Sequence, residues 1–256
     1  MKLTESNYFS LEAQAAYWSV SQFKAFDKCE ACGLATVMGD YEREETDSLL
    51  VGSYVDAYFA NTMDEFVGEH SDVMFTKKGE LYAKYNRAND IIHRIESEPV
   101  MMDYLTGDTQ TIMTAKIFDV DWKIKADVLT DERIVDLKIV KDFESIYQNG
   151  FGRRSWIEYW GYDIQGAIYQ RVVEENTGKR LPFYLVAATK EPVTDIAIIE
   201  IPQSVLDTAM GVVEAKIDRF DLIKNGEVDP IRCERCEYCK KTKHIEGPTV
   251  YESEVL

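Results

Sequence analysis

No stretch of this chain approaches the ~20 consecutive apolar residues of a membrane-spanning helix, and its opening, MKLTESNYFSLEAQ, has no apolar signal core. Neither a membrane association nor a secretion leader is expected, and the location read from this is cytoplasmic. Cysteine is also scarce. Five in 256 residues are too few for a disulfide scaffold. Bases are outnumbered: 29 Lys and Arg against 46 Asp and Glu give a formal net charge of −17, which repels polyanions at long range. That excludes indiscriminate nucleic-acid binding, but a local basic groove with a divalent cation can still dominate the field that a substrate meets. Internal repeats and low-complexity linkers are absent as well.

What is present is an ordinary globular composition, 45% hydrophobic and 29% charged. One domain over 1–256 is expected, with helices over 1–105 and a cysteine-rich tail over 229–256. Ser19 to Met38 reads as one capped helix ended by Gly39. Asp47 to Phe59 reads as a second, its apolar stripe formed by Leu50, Val51, Tyr54, Val55, Tyr58 and Phe59, with Gly52, Ser53 and Asp56 on the other side. A mixed, exposed helix is expected from Lys78 to about Ile95. After Pro99 the period changes: TQTIMTAKIFDV, DWKIKADVLT and RIVDLKIV read as three strands of a meander. Ser155 to about Glu175 reads as a helix, followed by two strands and a long amphipathic helix. The fold class is α/β with a central sheet.

Side chains alternate along a strand. Trp122, Ile124, Ala126 and Val128 therefore share one face, opposite Lys123, Lys125, Asp127 and Leu129. In the next strand Asp136 and Lys138 oppose Val135, Leu137 and Ile139. The short TDER connection pairs these strands antiparallel and brings Asp127 toward Asp136. Two close carboxylates repel unless protonated or bridged by a cation, and hard divalent ions prefer oxygen ligands, the Leu137 carbonyl among them. In YWGYDIQGAIYQR, Tyr162, Gln165 and Tyr169 share a helix face.

The tail holds Cys233, Cys236 and Cys239 at successive spacings of three. With a fourth ligand from Cys29, Cys32 or His244 they can hold zinc or an iron–sulfur cluster.

These residues resemble the PD-(D/E)xK nuclease superfamily, in its RecB/RecE-like exonuclease branch. Asp127 is similar to the first acid, Asp136-Leu137-Lys138 to the (D/E)xK element, and Gln165 to Tyr169 to the Q-x-x-x-Y helix. VGSYVDAYF resembles the upstream G-x-x-x-H motif with Gly52 in register, but Asp56 stands where the family has histidine. The resemblance implies a restriction-endonuclease-like αβββαβ core with a central mixed sheet flanked by helices. It implies a DNA exonuclease with Mg²⁺ or Mn²⁺ held by Asp56, Asp127, Asp136 and Leu137, and with Lys138, Gln165 and Tyr169 beside it. Lys123, Lys125, Arg153 and Arg154 are candidates for steering DNA. The tail resembles that of RecB-like and Cas4-like nucleases, where one early cysteine, here Cys29, joins three late ones around a [4Fe–4S] cluster; zinc remains the alternative. A recombination role in phage or bacteria, a single-strand annealing partner and a homo-oligomer follow from the same likeness. Two rival readings are an inactive nuclease-fold scaffold and a Cas4-like single-strand nuclease.

Overall fold

Helices precede strands. The computed structural model describes residues 1–42, 44–148, 150–245 and 247–248. Its first part comprises α1 (Leu11–Ala16), α2 (Val20–Lys28), α3 (Glu30–Met38), α4 (Asp47–Phe59), α5 (Met63–Met74), α6 (Arg87–Glu96) and α7 (Pro99–Tyr104). The meander follows as β1 (Asp108–Ile117), β2 (Val120–Leu129) and β3 (Ile134–Val140). A small hairpin, β4 (Ile146–Gln148) and β5 (Gly152–Arg154), leads to α8 (Trp156–Tyr159) and α9 (Tyr162–Thr177). Then come β6 (Phe183–Thr189), β7 (Ile196–Glu200), α10 (Gln203–Lys224) and α11 (Glu237–Lys241).

The five-stranded sheet has the order β1-β2-β3-β6-β7, with β3 and β6 parallel and the other neighbours antiparallel. It is mixed, as the αβββαβ expectation requires. Helices cover both faces. On one, Trp122, Ile124, Ile134 and Phe183 pack with Phe23, Phe26, Ile168, Val172 and Val213. On the other, Val135, Leu137, Val186 and Ala188 meet Leu50, Val55, Ile91 and Ile95. The charged face expected on β3 is therefore not a solvent face; α9 roofs it.

Four local expectations change. The helix read from Ser19 to Met38 is two, because Cys29 is extended (φ −167°, ψ 110°) between α2 and α3, although Ser19 and Gly39 cap the ends as expected. Gly33 permits this close return, since a Cβ there would lie 2.6 Å from a ring carbon of Phe26. The helix read from Ser155 is divided by left-handed Gly161 (φ 64°). The helix read from Lys78 begins only at Arg87 and buries Ile91, Ile92 and Ile95. Finally, Val128 does not share a core with Ala126: it joins the α4 to α6 side while Ala126 and Leu129 join the other. The alternation slips at Asp127, opposite Gln110, whose φ of 53° is left-handed and interrupts the β1–β2 ladder.

Gly166, inside the Q-x-x-x-Y stretch, seats α9 on the sheet. A Cβ there would fall 2.5 Å from Phe183 and 2.9 Å from Leu206. Gly166→Ala is expected to destabilise by about 1–3 kcal/mol through overpacking. Gly211→Ala in α10, where nothing lies within 4 Å, is expected to gain up to about 1 kcal/mol from helix propensity. Urea midpoints check both, and equal shifts would contradict this account.

Candidate active site

The pairing of β2 with β3 is confined to Val128–Val135 and Leu129–Ile134. The next residues in register are Asp127 and Asp136, and there the strands part. Asp127 Oδ2 accepts a hydrogen bond from the Leu137 amide at 2.9 Å, so a side chain takes over where the backbone ladder stops. Its Oδ1 accepts from Gln110 Nε2 at 3.5 Å. Asp136, only 1% exposed, accepts from Gln165 Nε2 of α9 at 2.5 Å and is ion-paired with Lys138. Its Oδ2 is the oxygen that meets the Lys138 ammonium, and it finds no other partner among the described residues. Lys138 Nζ also donates to the Leu137 carbonyl at 3.1 Å and lies 5.5 Å from the centre of the Tyr162 ring.

Beside this fork lies a cavity of about 20 Å³, with Asp56, Gln110 and Asp127 on a wall otherwise made of apolar Phe59, Ala60, Leu105, Val128 and Leu137. That is room for one water or one small ion. The two carboxylates are donors that a hard divalent cation prefers. α4 places Asp56 here because Gly52 lies flat against β3, where a Cβ would meet Ile139 at 3.8 Å. Asp136 does not line this cavity. Among the described residues the three carboxylates are less tightly gathered than the cysteine group below.

The charges oppose each other strongly. Desolvation, then Asp127, pushes the Asp56 pKa up to about 8; because the side chain still meets solvent at the cleft mouth, screening makes this an upper figure. Burial, then Asp127, raises Asp136 against the pull of Lys138. For Lys138, burial works against the charge, but Asp136, Asp127 and Asp56 together hold the ammonium well above its usual range. Lys138 thus stays a charged ammonium and donates hydrogen bonds.

A second cleft of about 300 Å³ adjoins the fork, lined by Tyr8, Phe9, Lys24, Lys125, Asp127, Gln165 and Tyr169, among others. Tyr169 is buried and donates to the Lys125 carbonyl at 3.0 Å. It braces β2 and leaves no hydroxyl hydrogen for a phosphate. Lys123, in the wall of the same cleft, is 1% exposed, donates to the Tyr8 carbonyl at 2.5 Å and lies under the Tyr8 ring, so its ammonium is engaged in holding the N-terminal segment. Lys125 keeps its place in the cleft. Arg153 and Arg154 lie on the β4–β5 hairpin, bonded to Ser145 and Gln148. Sequence reasoning missed Lys24, Gln110 and Lys190. Lys24 faces Asp136 closely enough to be influenced by it, and Lys190 stands by Asp56. Their neighbours in sequence carry no sign of this.

The sulfurs of Cys29, Cys233, Cys236 and Cys239 all lie within 4.8 Å of one another. Cys29 is therefore the fourth member, while Cys32 lies beside the group and His244 outside it.

A family model described as a PDDEXK-like domain of unknown function (DUF3799) matches residues 19–242. A solved structure from Eubacterium rectale, described as an exonuclease by assignment, is 41% identical with a TM-score of 0.92, over 98% of this chain and 97% of that one. No curated protein matches.

Asp56 gives a pH dependence of definite sign. Its folded pKa of about 8 exceeds the ordinary carboxylate value, so between roughly pH 4 and pH 8 the folded chain holds a proton that the unfolded chain has lost. Stability conferred by that proton is complete at the acidic end and is lost as pH rises through the folded value. In chelator, the thermal midpoint is expected to fall across this window. Asp56→Asn should flatten the fall and millimolar Mg²⁺ should reverse it. Superimposable wild-type and Asp56→Asn curves would refute the assignment.

Proposed function

The chain belongs to the family of PDDEXK-like domains of unknown function (DUF3799), and from that premise we propose that it is a metal-dependent exonuclease hydrolysing phosphodiester bonds of DNA. One observation carries the reading: Asp127 and Asp136 stand at opposed register positions where β2 and β3 part, with Lys138 paired to Asp136 and an ion-sized cavity beside Asp127. The exonuclease description of the Eubacterium rectale structure supports it.

Asp56, Asp127 and the Leu137 carbonyl would hold the cation, with Asp136 completing the set from its pairing with Lys138. A bound Mg²⁺ or Mn²⁺ supplies Lewis-acid polarisation of the scissile phosphate and acidifies a water. Lys138, kept protonated by three carboxylates, stabilises negative charge developing on the phosphate. Gln165 is a positioning residue that fixes the Asp136 carboxylate. Tyr169 does the same for β2 through the Lys125 carbonyl. Lys24 and Lys125 give the adjoining cleft a basic lining that offsets the negative charge of the whole chain. Preference for duplex ends, a recombination role and an annealing-protein partner rest on the RecE-like resemblance.

Linear duplex incubated with Mg²⁺ is expected to be degraded from its ends and closed circles spared. Lys138→Ala, Asp127→Asn and Asp136→Asn are each expected to slow this by at least about 10²-fold, and Gln165→Ala by about 10- to 100-fold. Degradation that persists in chelator, or in all three of the stronger variants, would defeat the proposal.

A further inference from the structure

We infer that Cys29, Cys233, Cys236 and Cys239 form a mononuclear, four-thiolate zinc site, and not the seat of the iron–sulfur cluster that the family resemblance implies. The argument is the spacing of the sulfurs. One Zn²⁺ with four Zn–S bonds of about 2.3 Å in a tetrahedron sets its sulfurs about 3.8 Å apart. Here Cys29 and Cys239 are 3.6 Å apart and Cys233 and Cys239 3.9 Å, with all four within 4.8 Å. A four-iron cube is ligated at its corners, one cysteine to each iron, and so holds its cysteine sulfurs well beyond the spacing set by a single ion. The pocket between these four is too small for it.

The backbone is shaped to the same end. Cys236 N–H donates to Cys233 Sγ at 3.3 Å, and Cys239 N–H to Cys236 Sγ at 3.4 Å; such bonds stabilise thiolates. Glu234, between the first two cysteines of the tail, has a left-handed φ of 55°, a conformation that persists only where its surroundings enforce it. Opposite, the break at Cys29 between α2 and α3 presents a lone sulfur to the three. Glu30 then clamps the tail in place, accepting two hydrogen bonds of 2.8 Å from Arg219 and one of 2.7 Å from the Ile231 amide. The site joins residues 210 positions apart, so its role is to tie the tail to the first helices.

The test is the metal content of full-length protein purified without oxygen from cells supplied with both iron and zinc. About one zinc per chain, colourless protein and no acid-labile sulfide are expected. Cys236→Ser and Cys29→Ser are expected to fall below about a tenth of that zinc, with Cys32→Ser retaining it. Replacement by Co²⁺ should give the visible bands of a tetrahedral thiolate complex. Iron with labile sulfide, metal-free wild type, or full zinc in Cys236→Ser would each overturn the inference. Should Cys236→Ser fail to fold, the wild-type and Cys32→Ser contents still decide. None of these readouts needs nuclease activity, so the zinc site and the catalytic reading stand or fall separately.

Discussion

The hydrogen bond from the Leu137 amide to the Asp127 carboxylate is the interaction around which the site is organised. A strand amide that loses its ladder partner must find another acceptor or remain costly. Asp127 supplies it, and so the two strands can separate without leaving a polar group stranded. The separation opens the cavity between Asp56, Asp127 and Leu137 and exposes Asp136 to Gln165 from the neighbouring helix. One bond therefore sets both the geometry of the acids and the space between them.

Concentrating acids in a half-closed fork has an electrostatic cost. It is visible in the raised pKa values of Asp56 and Asp136. The chain meets part of this cost with Lys138; a bound cation, as proposed above, would meet the rest. Attraction to these same acids, Asp136 first, outweighs burial and keeps Lys138 protonated, which suits a group proposed to face a phosphate. A net charge of −17 and a polyanionic substrate are compatible on these terms, because Lys24 and Lys125 line the cleft where the substrate would enter.

The periphery is held by contacts made far apart in sequence. Buried Lys123 and Lys224 hold the N-terminal segment through the carbonyls of Tyr8 and Tyr17. Arg219 and the cysteine group hold the tail. Both lysines are buried with a main-chain oxygen against the ammonium, since an unpaired buried ammonium is prohibitively expensive.

The sequence by itself determined what depends on near neighbours. Alternation in β3 separated Asp136 and Lys138 from Val135 and Leu137, the meander followed from β-branched runs, Asp47 to Phe59 was legible as a helix, and Ser19 and Gly39 marked their termini. The tertiary structure alone decided the rest. Lys123 reads as a surface base until Tyr8 covers it. Cys29 reads as mid-helix until Gly33 lets α3 fold back on Phe26. Lys24 and Lys190 carry no local mark of their nearness to the acids. Periodicity and capping are properties of a few consecutive residues, whereas burial and charge proximity depend on which distant segments the packed core brings together.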